Sequence, residues 1–188
     1  MDNRPIGVFD SGIGGLTVVD ALANNLSKET IVYVGDTARV PYGNKSKNRV
    51  KQYALEITKW LIKQDCKMIV VACNTVSALA LDYLKSIFSI PIIGVIDSGV
   101  EKAVKISRNN RIAVLGTSAT IDSDAYGKRL KAIKPDIMVT SQACPLFVPL
   151  AEEGWVEGKI PLEIAMHYFS SIKKMDVDTV ILGCTHYP

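Results

Sequence analysis

"MIVVACNTVSALALDYLKSIF", residues 68–88, is the stretch on which the fold turns. It opens on five apolar residues with no polar alternation, the pattern of a short strand buried on both faces. Cys73, Asn74 and Thr75 interrupt the run, and residues 76–88 continue with helical period. A doubly buried strand that passes through a brief polar turn into a helix is half of a βαβ unit. Working outward, short β-rich apolar runs recur at "IGVF" (6–9), "IVYV" (31–34), "IPIIGVI" (90–96), "RIAVLG" (111–116), "DIMVT" (136–140) and "TVILG" (179–183). Amphipathic segments lie between most of them. One is "RVKQYALEITKWLIKQ" (49–64), which carries Tyr53, Ile57, Trp60 and Leu61 as its apolar positions. Strands alternating with helices predict an α/β protein with mainly parallel sheets flanked by helices.

A weak internal echo suggests two such lobes. "VFDSGIGG" precedes "VVACNT" by about the gap that separates "VLGTSAT" from "VILGCTH". Each half then has a strand and small polar turn first, and a strand ending in cysteine later. Chance similarity among α/β repeats is the alternative. A division near "GVIDSGVEKA" gives lobes of residues 1–97 and 98–188, the first with Asp10 and Cys73, the second with Cys184. On this reading the functional site lies in a cleft between the lobes.

Composition narrows the function. Hydrophobic residues make up 48% of the chain and the net charge is +3, with both signs mixed along the sequence. A basic block interleaved with aromatics is missing, which argues against nucleic acid as the partner. "YGNKSKNRVK" (42–51) reads as the solvated start of a helix. No apolar run approaches a membrane span, and the N-terminus lacks the apolar core of a signal peptide. The four cysteines sit in strand-like contexts without the density of a secreted scaffold, so reduced thiols and a cytoplasmic location are expected.

Functional residues of parallel sheets gather beyond the carboxyl ends of strands. Four turns have that address. "DSGIGG" (10–15) has the glycines for a tight turn and amides that could hold an anion, but not the spacing of a phosphate loop. Asp10 could orient a cation or a thiol, or simply cap the turn. "GDTARVPYGNKS" (35–46) presents Tyr42 and backbone amides at the sheet's edge. Cys73-Asn74-Thr75 places a thiol beside a helix start, where thiolate is favoured, although a small buried hydrophobe is the plainer reading. Cys184-Thr185-His186 sets an imidazole two residues from a second thiol. Neither His167 nor Cys144 has spacing that supports a metal site. Two strand-end thiols are open to three readings: a redox pair, one covalent nucleophile, or two bases acting on opposite faces of one carbon. A redox pair lacks the Cys-x-x-Cys spacing.

Taken together, "DSGIGGLTV", "GDTARVPYG", "ACNT", "CPLFVPLAEEG" and "GCTHYP" resemble the glutamate racemases, of the cofactor-independent aspartate/glutamate racemase family. The resemblance runs in order along the whole chain. It implies racemisation of L-glutamate to D-glutamate for peptidoglycan, with Cys73 and Cys184 as the two acid/bases and no cofactor or metal. It further implies Asp10 beside the first thiol, His186 beside the second, and Glu152 as a further acidic site residue. Substrate contacts would fall on Asp10, Ser11, Pro41, Tyr42, Gly43, Asn74, Thr75, Thr117, Thr120, Thr185 and His186. Cys66 and Cys144 are expected to be structural. A homodimer is compatible with the resemblance, and glutamate is the expected small-molecule partner. Val76 stands where the family usually has a smaller residue, which would narrow the site. The family's chain continues beyond "GCTHYP", so this chain reads as C-terminally truncated. A relative acting on aspartate or another amino acid, or an inert binding module of the same fold, are the competing readings.

Overall fold

A computed structural model describes residues 2–188. The chain divides into two compact units, Met1–Val95 and Ile96–Pro188.

In the first unit, β1 (Ile6–Asp10), β2 (Ile31–Gly35), β3 (Met68–Val71) and β4 (Ile92–Gly94) form a parallel sheet in the order β2-β1-β3-β4. Helices α1 (Leu16–Asn25), α2 (Lys47–Lys63), α3 (Asn74–Leu79) and α4 (Leu81–Ile87) cover it. The pleat sorts the side chains onto two faces. Ile6, Val8, Val70 and Ala72 cluster with Val18, Val19 and Leu22 of α1. Phe9, Ile69 and Val71 belong to the other cluster, with Val50, Ala54, Ile57 and Leu61 of α2 and Val76, Leu81 and Leu84 beyond β3. Each such large aliphatic side chain, fully buried, contributes about 1.5–3 kcal/mol. Both faces are therefore apolar, which is why β1 and β3 read as unbroken hydrophobic runs.

In the second unit, β5 (Arg111–Gly116), β6 (Met138–Ala143) and β7 (Thr179–Gly183) are parallel in the order β6-β5-β7. The helices are α5 (Ile96–Ile106), α6 (Ser118–Asp122), α7 (Ala125–Ile133), α8 (Phe147–Glu152) and α9 (Lys159–Ile172). Ala113, Leu115, Cys144 and Ile172 form one core cluster, against which Phe147, Phe169 and Tyr187 pack. Ile112 and Val114 alternate to the opposite face of β5, and α5 and α7 bury Val100, Ala103 and Leu130.

Several expectations need correction. Residues 76–88 are not one helix: α3 and α4 are separate, broken at Ala80, whose φ of −128° leaves the helical region. The strand expected over 90–96 is only three residues long, because Ile96 already starts α5. The strand expected at 136–140 lies further on, at Met138–Ala143. Trp60 is 47% exposed. The buried stripe of α2 runs through Val50, Ala54, Ile57 and Leu61, and one residue of helix turns about 100° away from it. Val76 points into the first unit's core, so its extra bulk is spent on packing. Among the described residues, no helix is long and apolar enough to cross a membrane.

Candidate active site

Strand order fixes where chemistry can sit. In the first unit β2 lies on one side of β1 and β3 on the other, and the helix after β1 covers the opposite face from those after β3. The crevice at the carboxyl ends of β1 and β3 is therefore a topological switch point, the usual address of ligands in such sheets. Asp10 ends β1, and the register Phe9↔Val71 brings Ala72 and Cys73 alongside it. The Ala72 amide donates to the Phe9 carbonyl at 2.9 Å.

Cys73 is the N-cap of α3 and is buried, with its Sγ 3.6 Å from the Ser11 hydroxyl. Asp10 is fully buried, and its Oδ2 accepts from the Gly12 amide at 3.0 Å. Asn74, Thr75 and Ser11 are buried beside them. Five groups named from the sequence, Asp10, Ser11, Cys73, Asn74 and Thr75, thus lie together at the carboxyl ends of β1 and β3.

The loop after β2 turns the Tyr42 side chain inward rather than presenting it at the sheet's edge. Tyr42 is 1% exposed, and its hydroxyl donates to the Asp36 carboxylate. Burial first, and then the Asp36 charge, push the Tyr42 phenol far above its ordinary range, so it stays a donor. Asp36 also takes Arg39 Nε at 2.7 Å, and Arg39 reaches Glu56 at 2.6 Å while its guanidinium lies 4.2 Å from the Tyr53 ring centroid. The Tyr42 side chain is thus committed to Asp36, and its backbone is what remains to meet a ligand. The Val40–Pro41 peptide is cis. Asp36, Arg39 and Glu56 escaped the sequence reading, because nothing in "GDTAR" indicates which carboxylate receives a tyrosine six residues later.

The second unit repeats the switch point. β5 lies between β6 and β7, and Gly116 and Gly183 are register partners at the strand ends. Thr117 follows β5 and caps α6, accepting from the Thr120 amide at 3.3 Å, and the two hydroxyls are 2.9 Å apart. Cys184 follows β7 and is 8% exposed. Its Sγ lies 3.7 Å from His186 Nδ1, and His186 Nε2 lies 2.5 Å from Glu152 Oε1 at the end of α8. Thiol, imidazole and carboxylate thus form a chain, with Thr185 half-buried between Cys184 and His186. The Cys184 sulfur is also close enough for its charge to add to burial in raising the Tyr126 and Tyr187 phenols. Gly183 is obligatory here. A Cβ would stand 2.7 Å from the Leu115 carbonyl and 3.1 Å from Tyr126 Cε2.

The other two cysteines differ in kind. Cys144 is fully buried, and burial pushes its thiol up to about 11. Cys66 is buried in the first unit's core and is pushed up by burial and by Asp65. Raised thiols of this sort are unreactive at neutral pH. Among the described residues, no three His, Cys, Asp or Glu side chains come together as a metal site.

Each of the two parallel α/β units therefore carries a buried thiol at its switch point with a polar partner on that thiol. Residues 6–188 match the family described as Asp/Glu/Hydantoin racemase, and the chain belongs to that family of isomerases. The glutamate racemase of Geobacter metallireducens is 50% identical over 185 residues, which span 98% of this chain and 68% of that protein. The Francisella tularensis glutamate racemase, solved with D-glutamate, is 46% identical, with a TM-score of 0.94 over all of this chain and 71% of that one. The Escherichia coli glutamate racemase, solved with L-glutamate and the activator UDP-MurNAc-ala, is 28% identical, with a TM-score of 0.80 over 98% and 71% of the two chains.

Proposed function

We propose that this protein interconverts L- and D-glutamate by two-base proton transfer at Cα, with Cys73 and Cys184 as the bases and no organic cofactor. One thiolate takes the Cα proton and becomes a thiol; the other thiol gives its proton to the opposite face and becomes a thiolate. No electrons are lost or gained, and the two sulfurs end with their protonation states exchanged. The observation that carries this reading is the recurrence of a buried thiol at the switch point of both units, each with its own polar partner.

The other residues take roles that follow from their chemistry. A free cysteine is only a few per cent ionised at pH 7, so a thiolate needs help. His186, held by Glu152, can stabilise the Cys184 thiolate or take its proton. Asp10 is suited to the substrate ammonium or to the Cys73 side of the proton transfer. Ser11, Asn74, Thr75, Thr117, Thr120 and Thr185, with the amides of Tyr42 and Gly43, are donors of the kind that hold two carboxylates and the charge that develops between them. Glutamate is favoured over aspartate by relatives of 50–52% identity that are glutamate racemases. A role in supplying D-glutamate for cell-wall peptidoglycan, in the cytoplasm, accords with the activator in the Escherichia coli complex.

The test is exchange in deuterated water without added pyridoxal phosphate. Label should enter Cα of both enantiomers, and Cys73→Ala and Cys184→Ala should each stop racemisation. Normal turnover by Cys73→Ala would overturn the two-thiol mechanism. Faster turnover of aspartate than of glutamate would reassign the substrate.

A further inference from the structure

We infer that Tyr33, on β2, is a positioning residue that holds the 10–15 turn in the geometry in which Asp10 and Ser11 serve Cys73. The inference rests on the function proposed above. It starts from a side chain that the mechanism does not use and that the sequence presents as one more strand hydrophobe.

β2 pairs with β1 in the register Val8↔Tyr33, so Tyr33 lies one pair short of the strand end. Its ring belongs to the cluster on the α1 face, with Val8, Val18 and Leu22. The hydroxyl reaches past the end of β1 and donates to the Gly12 carbonyl at 2.6 Å. Two glycines record how closely the ring is fitted to the turn. A Cβ on Gly15 would lie 2.9 Å from the Tyr33 hydroxyl and 2.5 Å from the Asp10 Cβ. A Cβ on Gly35 would lie 2.4 Å from the same Gly12 carbonyl oxygen. The phenol therefore occupies the space under the turn and satisfies the Gly12 carbonyl.

The turn has a second tie, from the Gly12 amide to Asp10 Oδ2 at 3.0 Å. Gly12 is thus pinned through both its polar backbone groups, one by Tyr33 and one by Asp10. Ser11 lies between these anchors, and its hydroxyl is 3.6 Å from the Cys73 sulfur. Removing the Tyr33 hydroxyl frees the Gly12 carbonyl and takes away one of the two ties at Gly12. Burial, then the Asp10 and Cys73 charges, raise the Tyr33 phenol well above its ordinary range, so it is a donor at every pH the enzyme meets.

Tyr33→Phe deletes that hydroxyl and keeps the ring. In the parent and the variant, two quantities are measured: racemisation of glutamate, and the rates at which iodoacetamide alkylates Cys73 and Cys184, resolved by peptide mass spectrometry. The expected result is a fall of about tenfold in kcat/KM. Cys73 should be alkylated at least threefold faster, because the turn bearing Ser11 no longer covers it, while the Cys184 rate holds. Unchanged kcat/KM with an unchanged Cys73 rate overturns the inference. So does equal acceleration at both thiols, since that describes general loosening. If neither protein racemises glutamate but Cys73 alone is accelerated in the variant, the positioning role stands and the proposed activity falls.

Discussion

Gly35→Ala tests the packing beneath the first switch point, and its consequence can be worked from the backbone. Gly35 ends β2 opposite Asp10. The added methyl would sit 2.4 Å from the Gly12 carbonyl oxygen and 3.2 Å from Tyr33 Cε1. Ordinary contact begins near 3.4 Å, so the turn must retreat by about 1 Å, and no side-chain rotation can absorb the displacement. The 2.6 Å bond from Tyr33 to Gly12 does not survive such a shift. Overpacking costs about 1–3 kcal/mol, offset by about 0.4–1 kcal/mol from the stiffer unfolded chain. The net loss of about 1–2 kcal/mol should lower the melting temperature by about 2–8 °C. Activity should suffer more, because a misplacement of about 1 Å at reacting groups costs on the order of 100-fold in rate. Urea denaturation and a glutamate racemisation assay on the same preparation give both numbers. Gly99→Ala is the matched change in α5, where the nearest atom is Tyr126 Cε1 at 3.9 Å, and it should stabilise by about 0.5–1 kcal/mol. Gly35→Ala within threefold of the parent rate would refute the claim that this turn is held by its neighbours.

Three further outcomes are expected. Glu152→Gln weakens the contact to His186; with Glu152 36% exposed, screening reduces the effect to about 1 kcal/mol, or about fivefold in kcat/KM, read by the same assay. Thr58 is fully buried in α2 with no hydrogen-bond partner for its hydroxyl among the described residues, so Thr58→Val should raise the urea midpoint by the equivalent of about 1 kcal/mol. Cys144 ionises near 9 when unfolded and near 11 when folded. Its stabilising effect is therefore complete below pH 9 and lost as pH rises toward 11, and Cys144→Ala should flatten the fall in stability across that window. An equal slope in the two proteins would contradict the assigned burial effect.

How much of this was legible depended on whether the signal was local. The central strands read clearly because β1 and β3 are apolar on both faces, and the thiols read clearly because each ends such a run. Tyr33 was hidden for the same reason: within "IVYV" a tyrosine is an ordinary strand residue. Only the pairing of β2 with β1 puts its hydroxyl beneath residue 12. The sequence places Tyr42 at the sheet's edge, but the burial of its side chain depends on an acceptor, Asp36, that the loop supplies by folding back. The contact of Glu152 with His186 joins residues 34 apart in sequence, and the resemblance named both residues without the sequence giving any hint of their contact. Trp60 failed on phase alone, one residue off the stripe of α2.

The two thiols are placed alike and supported differently, and that difference limits what any one substitution can do. In each unit the first strand is flanked by the second and third, so the turn after the first strand and the cysteine after the third lie at the carboxyl ends of neighbouring strands. Cys73 takes its hydroxyl partner from the first-strand turn, through Ser11, whereas Cys184 takes an imidazole from its own turn and, through it, a carboxylate from α8. Under the proposed mechanism, one sulfur starts as the base for L-glutamate and the other for D-glutamate. Enantiomers have equal free energy in water, so kcat/KM must stay equal in the two directions whatever is mutated. A change confined to the Cys184 side, such as Glu152→Gln, therefore lowers both kcat/KM values by one factor. It can act unequally only on the separate kcat values, because it shifts the balance between the two protonation states of the bound enzyme. Measured in both directions, equal ratios of kcat/KM with a changed ratio of kcat locate the effect on one thiol. An unchanged kcat ratio would mean that Glu152 serves both faces alike, which a carboxylate reaching Cys184 through His186 does not explain.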